Sequence, residues 1–360
     1  MDKLNNITKS WMKSFVKPLI ISGPCSAESY EQLVKTAKIL DKSYVKIFRA
    51  GIWKPRTRPN TFEGIGLPGL KWLKKIKNKM GFLIATEVAN AYHVEKALEY
   101  DIDVLWIGAR STASPFTVQE IANVLENTKK IILIKNPIHP DIELWIGSLE
   151  RLLEKGIKKL GLIHRGFFLY KDYEFRNQPN WKLVLDLKNR YPNIPIFCDP
   201  SHICGNRKKI FEIIQKAYKF KYDGYMIETH YNPNIAWSDA NQQILPEKLT
   251  KIFQKIKKLE NIYNSEYEKK LECIRFQINE LDKNILSLFY QRMKLTEEVG
   301  RLKKIYGIPV FQPKRLEEIL LNCKKYCKHL NISEKFIEKI FKILHKESVR
   351  IQNKIIINNK

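Results

Sequence analysis

Eight short apolar runs alternate with eight segments of helical periodicity over the first 260 residues of this 360-residue chain. The apolar runs are 19–22, 44–48, 82–86, 104–107, 131–135, 159–164, 194–198 and 224–228. The helical segments are 28–40, 69–79, 91–99, 115–126, 142–154, 182–190, 208–218 and 247–259. Regular alternation of strand and helix predicts a parallel sheet with helices on its outside. Because no single glycine-rich turn dominates, the pattern favours a closed (β/α)8 TIM barrel over an open doubly wound sheet.

The length of the chain allows a barrel of roughly 250 residues and a smaller second domain. We expect residues 1–17 to form a hairpin or arm over the bottom of the barrel and residues 18–260 to form the barrel itself. Residues 265–360 are expected to form an all-α helical domain, because the apolar spacing changes there to a repeat of three and four.

This repeat, called here the apolar stripe, consists of Leu271, Ile274, Ile278, Leu281, Ile285, Leu288, Leu295, Val299 and Leu302. It predicts one helix of more than 30 residues that ends at Gly307 and Pro309. Two shorter helices are predicted at about 314–328 and from Ser333 onward. A stripe of this length requires a partner, most simply the same segment of a second chain. The sequence therefore predicts a homodimer or higher homo-oligomer through the helical domain.

The composition limits the class of partner and the compartment. The formal net charge is +26, but the lysines are spread along helical faces and no basic run is interleaved with aromatic residues, so we do not expect nucleic acid as a partner. The six cysteines form no C-x-x-C pair, which is typical of a reducing compartment. No signal-like segment and no apolar run of about 18 residues is present. These features predict a cytoplasmic protein that does not bind membranes.

Polar motifs follow the ends of successive predicted strands, where a barrel of this kind builds its active site. They are GPCS (23–26), KPRT (54–57), GAR (108–110), DPSH (199–202) and ETH (228–230). Four residues in or near these motifs are candidate metal ligands: Cys25, His202, Glu228 and Asp239. A mixture of thiolate, imidazole and carboxylate suits Mn, Fe, Co or Zn better than Mg or Ca. The alternative for each residue alone is a structural role in the core.

Six cations are predicted at or just beyond the strand ends: Arg49, Lys54, Arg56, Arg110, Lys135 and Arg165. So many converging cations would repel one another unless anions bind among them, and guanidinium groups fit phosphate and carboxylate oxygens bidentately. The set therefore predicts substrates with about two phosphates and one carboxylate. The alternative is pairing with Glu87, Asp199 or Glu228, and we expect both to hold.

Residues 23–243 resemble the metal-dependent 3-deoxy-7-phosphoheptulonate synthases of the subgroup related to 3-deoxy-octulosonate-8-phosphate synthase. The matching segments are GPCS, FRAGIWKPRTRP, GAR, Lys135, HRG, DPSH and the run from Glu228 to SDANQQ. The resemblance implies condensation of phosphoenolpyruvate with erythrose 4-phosphate to 3-deoxy-7-phosphoheptulonate and phosphate, the first step of the shikimate pathway. An octulosonate-8-phosphate synthase is the less favoured alternative, because those enzymes lack the KPRT motif.

The resemblance also implies a role for each site residue. Cys25, His202, Glu228 and Asp239 would bind the divalent metal, and Arg49, Lys54, Arg110, Lys135 and Arg165 would hold phosphoenolpyruvate. Arg56 and Thr57 would hold the phosphate of erythrose 4-phosphate. Lys54 is a candidate proton donor to the nascent alkoxide, with metal-bound water as the alternative. One departure is Asn136-Pro137, where many relatives carry Arg-Gly.

Arg292 falls on the apolar stripe between Leu288 and Leu295. An unpaired buried guanidinium is costly, so it should have an anionic partner. An internal salt bridge to Glu298, or to an acid of a partner chain, is one explanation. The other follows from the resemblance of residues 271–355 to the all-helical chorismate mutases. The matching pieces are LECIR (271–275), INELD (278–282), QR (291–292), VGxxK (299–303), GIPV (307–310) and ESVxxQ (347–352).

This second resemblance implies rearrangement of chorismate to prephenate. The residues implied around the dicarboxylate are Arg275 (from the partner subunit), Arg292, Lys303, Arg315 and Gln352. Lys303 and Gln352 would contact the ether oxygen, where charge develops. Gln312 and Leu316 replace the Asp and Glu of many relatives, and Leu316 cannot contact the substrate hydroxyl. For this reason, an alternative is that the helical domain is a prephenate-binding regulatory and dimerisation module.

Overall fold

The computed structural model describes residues 4, 7–56, 60–170, 174–260 and 266–357. The chain separates into two compact units, residues 1–273 and 274–360. Among the described helices, none combines the length and the apolarity needed to cross a membrane.

The first unit is a closed barrel of eight parallel strands in chain order, which confirms the predicted fold class. The strands are β1 (Leu19–Gly23), β2 (Val45–Arg49), β3 (Leu83–Val88), β4 (Val104–Ile107), β5 (Ile131–Lys135), β6 (Leu160–His164), β7 (Ile196–Cys198) and β8 (Gly224–Glu228). β1 pairs with β8, with Gly23 opposite Glu228, and this pairing closes the sheet. The last residues of neighbouring strands therefore lie side by side around one rim.

The helices of the first unit surround the barrel. They are α1 (Tyr30–Ile39), α2 (Leu67–Met80), α3 (Ala91–Glu99), α4 (Ala109–Thr112), α5 (Pro115–Val124), α6 (Ile142–Glu154), α7 (Trp181–Arg190), α8 (Pro200–Cys204), α9 (Ile210–Lys219) and α10 (Pro246–Glu260). Several begin at a residue whose side chain accepts a hydrogen bond from a backbone N–H of the first turn, including Ser29, Asn90 and Asp141. Such N-caps fix where each helix leaves its loop.

The end of the barrel opposite this rim is filled with apolar side chains. Residues 9–14 form a 3-10 helix rather than a hairpin, and Met12 lies in the interior cluster with Leu19 and Ile131. The indole of Trp11 donates a hydrogen bond to the carbonyl of Leu160, 3.2 Å away. With this end closed by packing, the polar side chains of the interior collect at the carboxyl ends of the strands.

The second unit consists of three helices, which confirms the predicted helical region. They are α11 (Glu266–Tyr306, 41 residues), which belongs to this unit from Ile274 onward, α12 (Pro313–Leu330) and α13 (Glu334–Ile357). Ser333 caps α13, since its Oγ accepts a hydrogen bond from the backbone N–H of Phe336. The eight stripe residues from Ile274 to Leu302 are 42–62% exposed within the single chain. The helix thus carries an apolar stripe that α12 and α13 leave largely exposed.

Candidate active sites of the barrel and the helical unit

Glycines allow the first two strand ends to approach closely. Gly23 has a φ of +152°, and a Cβ there would lie 2.1 Å from the carbonyl oxygen of Arg49. Beyond the strands, the backbone N–H of Gly51 donates to the carbonyl of Cys25, and the N–H of Ala27 donates to the carbonyl of Gly51. This close pairing brings Cys25 next to the loop that carries Lys54.

The thiol of Cys25 lies between a cation and a carboxylate. Lys54 Nζ is 2.8 Å from Cys25 Sγ, and Asp239 Oδ2 is 3.3 Å from the same sulfur. Burial, together with the charge of Glu228, raises the pKa of the Cys25 thiol to about 12 despite the adjacent Lys54. Desolvation opposes the charged form of Lys54, but Cys25, Glu228 and Glu87 raise its pKa above the ordinary value. At neutral pH the thiol is protonated and Lys54 is an ammonium ion.

His202 lies beside two carboxylates on the seventh and eighth strand ends. Its Nδ1 is 2.8 Å from Asp199 Oδ2, and its Nε2 is 3.8 Å from Glu228 Oε1. Asp199 also caps α8 through its Oδ1, which accepts the backbone N–H of His202. Burial lowers the pKa of His202 below its ordinary value, although both acids act against this. The imidazole is therefore neutral at pH 7, as metal coordination requires.

Two buried cations share one aromatic ring. The guanidinium of Arg49 lies 4.8 Å from the ring centre of Trp106 on β4, and Lys135 Nζ lies 5.8 Å from it. Arg49 Nη2 is 3.2 Å from Glu228 Oε1, and Lys135 Nζ is 3.2 Å from Asp199 Oδ2. Two of the expected carboxylate partners are thus present. Even so, Nε and Nη1 of Arg49 are buried without a hydrogen-bond partner.

Such unpaired buried donors are costly unless a ligand satisfies them. Arg49 is only 1% exposed, so bulk water does not take that place. The arrangement fits an anion that accepts hydrogen bonds from Nε and Nη1 of Arg49. This is the observation that most directly favours an anionic substrate at the barrel mouth.

Arg165 is oriented by two asparagines. Its backbone N–H donates to Asn136 Oδ1 at 2.7 Å, and its Nη1 donates to Asn177 Oδ1 at 3.1 Å. Burial, reinforced by the nearby cations Arg176 and Arg110, lowers the pKa of Arg165 to about 10. Arg110, on α4, is exposed. A guanidinium held among other cations favours an anionic ligand.

The remaining barrel candidates lie in the loop after β2. Arg56 Nε donates to the carbonyl of Phe62 at 2.9 Å, and its Nη1 is 3.9 Å from Asp239 Oδ2. Arg56 therefore reaches the same mouth as Cys25 and Lys54. Thr57 lies outside the described residues, so its predicted role stays a prediction.

The helical unit buries three of its predicted residues at least in part. Arg292 Nη1 donates to Ser348 Oγ at 2.6 Å and to the carbonyl of Leu344 at 3.3 Å. Lys303 Nζ donates to the carbonyl of Val310 at 2.8 Å. Gln352 is 7% exposed, and its Oε1 is buried without a hydrogen-bond partner. Burial lowers the pKa of both cations.

The expected salt bridge of Arg292 to Glu298 is not formed. Among the residues that the structure describes, no carboxylate lies within 4 Å of Arg292, which instead contacts the hydroxyl and carbonyl groups of α13. The reason is geometric, because residues six apart on a helix lie on different faces. Of the other predicted residues, Arg275 is exposed, and Arg315 is exposed and pairs with Glu318 at 2.9 Å.

Residues 16–265 match the family model described as the DAHP synthetase I family. The chain belongs to this family. It is 33% identical over 240 residues to the phospho-2-dehydro-3-deoxyheptonate aldolase of Thermotoga maritima, with 67% of this chain and 69% of the relative covered. A crystal structure of that Thermotoga maritima aldolase matches with a TM-score of 0.61 at 30% identity, and the match covers 68% of this chain and 69% of that one.

The helical unit has a second match. Residues 274–353 match the model described as chorismate mutase type II and form such a domain. A chorismate mutase from Methanocaldococcus jannaschii is 37% identical over 83 residues, which are 23% of this chain and 84% of that protein.

A 2-dehydro-3-deoxyphosphooctonate aldolase from Helicobacter hepaticus is 26% identical over 278 residues, with 68% of this chain and 97% of the relative covered.

Proteins of the DAHP synthetase I family generally use a divalent metal. The four candidate ligands lie in two pairs, Cys25 with Asp239 and His202 with Glu228. In the described part of the chain, no three His, Cys, Asp or Glu side chains converge as a formed metal site. The donor set nevertheless fits a transition metal. The position of Glu228 Oε1 also fits a metal ligand. This oxygen is buried without a hydrogen-bond partner and lies 3.8 Å from His202 Nε2.

Several site residues of this DAHP synthetase family member were not singled out from its sequence. Gln242 Nε2 donates to Glu228 Oε2 at 2.7 Å, and Gln243 Oε1 accepts the backbone N–H of Cys25 at 3.0 Å. Arg176 Nη1 donates to Asp239 Oδ1 and to Gln242 Oε1, both at 2.9 Å. The glutamines were visible within the SDANQQ segment. Arg176 follows no strand end, and no local pattern pointed to it.

Proposed function

We propose that the chain is a bifunctional enzyme. Its barrel condenses phosphoenolpyruvate with erythrose 4-phosphate to give 3-deoxy-7-phosphoheptulonate and phosphate, and its helical unit converts chorismate to prephenate. The observation that carries the barrel assignment is the buried guanidinium of Arg49, with two unpartnered donors at the mouth of a DAHP synthetase barrel. We assign residues 1–17 to an arm, 18–260 to the synthase and 265–360 to the mutase.

The cations divide between the two substrates. Arg110 and Arg165 bind the phosphate of phosphoenolpyruvate, and Arg49 and Lys135 complete its site with Lys54 near the carboxylate. Burial and the neighbouring cations Arg176 and Arg110 lower the pKa of Arg165, which supports this, because a phosphate dianion would relieve the repulsion at Arg165. Arg56 and Thr57 bind the phosphate of erythrose 4-phosphate on the Cys25 side of the mouth.

The reaction joins C3 of phosphoenolpyruvate to the aldehyde carbon. Lys54 is protonated, because its acidic neighbours raise its pKa. It donates that proton to the aldehyde oxygen as the carbon–carbon bond forms. Arg49 holds the substrate by its anionic groups while water adds to the cationic C2, and the proton that this water loses restores the ammonium form of Lys54. The C2–O bond to phosphate then breaks, and Arg110 and Arg165 hold the leaving phosphate.

Cys25, His202, Glu228 and Asp239 are the residues that would hold the divalent metal, which we take to be Mn, Fe, Co or Zn from the donor types. When bound, it supplies Lewis-acid polarisation of the aldehyde oxygen. The neutral His202 and the ionised carboxylates support this assignment, because neither must lose a proton to coordinate.

The mutase site requires binding and little else, since its reaction is a unimolecular rearrangement. Arg292 and Arg315, with Arg275 from the partner subunit, hold the two carboxylates. Lys303 and Gln352 contact the ether oxygen, where negative charge develops. Gln352 would donate through its Nε2–H, and its burial within the helical unit, at 7% exposed, supports this role. The exposed apolar stripe of α11 supports a homodimer or higher homo-oligomer through the helical unit.

One observation favours a second candidate for the helical unit. Leu316 is half-buried on α12 and offers no hydrogen bond to a substrate hydroxyl, while Gln312 is exposed at the start of that helix. The unit would then be a prephenate-binding regulatory and dimerisation module with weak or no turnover.

We also propose a cytoplasmic location, which the five unpaired cysteines described here favour.

Two assays test the proposal on the purified full-length chain. The first measures phosphate release from phosphoenolpyruvate with erythrose 4-phosphate or with arabinose 5-phosphate as the aldehyde. We expect a strong preference for erythrose 4-phosphate, and the opposite preference would make the barrel an octulosonate-8-phosphate synthase. The second follows chorismate by its ultraviolet absorbance. If chorismate is stable while prephenate inhibits condensation, the helical unit is a regulatory module.

A further inference from the structure

His345 lies on the face of α13 that meets α11. It precedes Ser348 by three residues and Gln352 by seven, a spacing that places all three on one side of a helix. Ser348 Oγ accepts the hydrogen bond of Arg292 on α11. Gln352 packs against Gly300, where a Cβ would lie 3.3 Å from its Cα and Cγ. The side of α13 that carries His345 therefore lines the same pocket as the cationic Arg292.

The surroundings of the His345 imidazole leave one of its ring nitrogens without a hydrogen bond. Its Nε2 is buried and makes no hydrogen bond. The ring packs edge-to-face on Phe311, with 6.2 Å between ring centres. Burial lowers the pKa of His345, and the cations Arg292 and Lys303 lower it further. The ring is therefore neutral at pH 7, and it can present either a donor or an acceptor at Nε2.

A buried polar atom without a hydrogen-bond partner costs free energy, which a ligand that bonds to it would recover. The same pocket holds a second such atom, Gln352 Oε1. Two cations line it, which selects an anionic ligand, and a neutral N–H can bond to that ligand without adding to the repulsion between Arg292 and Lys303. Leu316 offers no polar group to a ligand, so a donor elsewhere in the site would supply a hydrogen bond that Leu316 cannot make.

We propose that His345 is a ligand-binding residue of the mutase site, with its Nε2–H donating a hydrogen bond to an oxygen of the bound dicarboxylate. This inference rests on the proposed mutase function of the helical unit. It makes His345 a determinant of affinity for chorismate and prephenate. Arg292 and Lys303 supply charge, and His345 supplies a directed neutral contact.

The test uses two substitutions in the full-length chain. His345→Leu removes the donor at similar size, and His345→Gln keeps an N–H near the position of Nε2. Loss of one hydrogen bond to a charged ligand predicts about a tenfold rise in the KM for chorismate, and in the Kd for prephenate, in His345→Leu. His345→Gln is expected to stay within about threefold of the wild type. Lys346→Gln, an exposed change on the next residue of α13, serves as control.

The helical content and thermal unfolding of each variant, measured by circular dichroism, report whether its helical unit is folded, and its condensation activity reports the same for the barrel. A His345→Leu enzyme with wild-type KM and Kd would overturn the inference while leaving the mutase function standing. Equal impairment of the Leu and Gln variants would also overturn it, because a packing role does not distinguish a donor from an alkyl group. A wild-type chain that neither turns over chorismate nor binds prephenate would overturn the mutase function and this inference together.

Discussion

The side-chain amide of Asn177 donates a hydrogen bond of 2.6 Å to the backbone carbonyl of His202. Its other end accepts a hydrogen bond from Arg165 Nη1. Asn177 is 4% exposed, and it thus joins a candidate metal ligand to a residue assigned to the phosphate of phosphoenolpyruvate. One buried amide sets the relative position of two parts of the reaction site.

Replacing Asn177 should disturb phosphoenolpyruvate binding more than folding. In Asn177→Ala, Arg165 loses a fixed orientation and the His202 carbonyl loses a donor, at a cost of about 1–3 kcal/mol. We expect the KM for phosphoenolpyruvate to rise about tenfold or more, with a smaller change in the KM for erythrose 4-phosphate. Steady-state kinetics measure both constants. Asn234→Ala, an exposed amide that bonds to Arg207, is the control, and equal kinetics in the two variants would argue against the role of Asn177.

Metal affinity should depend on pH through Cys25. The pKa of this thiol is raised to about 12, so the metal-free protein keeps its proton throughout the accessible range. Binding a divalent metal as thiolate must release that proton, and His202 contributes none above pH 6.5 because its pKa is lowered. The association constant should therefore rise about tenfold per pH unit between pH 6.5 and 8.5.

Calorimetric titration of the metal-free enzyme with Mn²⁺, in buffers of different ionisation enthalpy, measures both the affinity and the protons released. Cys25→Ala should bind far more weakly, lose condensation activity and show no such pH dependence. A wild-type affinity that does not change with pH would exclude Cys25 as a thiolate ligand. Full condensation activity after removal of metal by a chelator would contradict the proposal that the barrel requires a divalent metal.

Arg292 should be required for chorismate turnover and dispensable for condensation. Its guanidinium donates hydrogen bonds to Ser348 Oγ and to the carbonyl of Leu344, and it lies close enough to His345 to lower the pKa of that ring. Arg292→Ala removes a partly buried charge from an anion pocket, and we expect a loss of at least about 100-fold in chorismate turnover. Arg301→Ala, an exposed arginine on the same helix, is the matched control. Wild-type turnover in Arg292→Ala would remove this residue from the mutase site.

The barrel could be predicted from sequence because each unit of strand and helix carries its own apolar period. The cations that end strands could be predicted for the same reason, since Arg49 and Lys135 are the last residues of β2 and β5. Carboxyl ends of parallel strands meet at one rim whatever the loops do.

The loop between β6 and α7 could not be predicted in this way. Arg176 and Asn177 reach the site because the backbone pairs Phe167 with Gln178, and because Asn177 N–H bonds to the carbonyl of Ile203. These partners are distant in sequence and leave no periodic signal. Asn136 was noticed as a departure from relatives, but its bonds to Arg165 and Gly166 became visible only in three dimensions.

A charge on the apolar stripe of α11 should separate the subunits. Leu288 is 61% exposed in the single chain, and burying it against a second copy would contribute about 1.5–3 kcal/mol per subunit. Leu288→Glu removes that contribution twice in a symmetric dimer and adds a desolvation cost, so we expect the dimer to weaken at least about 100-fold. Because Arg275 of each subunit is assigned to the site of its partner, chorismate turnover should fall when the dimer dissociates. Sedimentation velocity at micromolar concentration gives the assembly state, and Lys283→Glu, off the stripe on the same helix, should leave it unchanged. A Leu288→Glu chain that sediments like the wild type would place the interface on another surface.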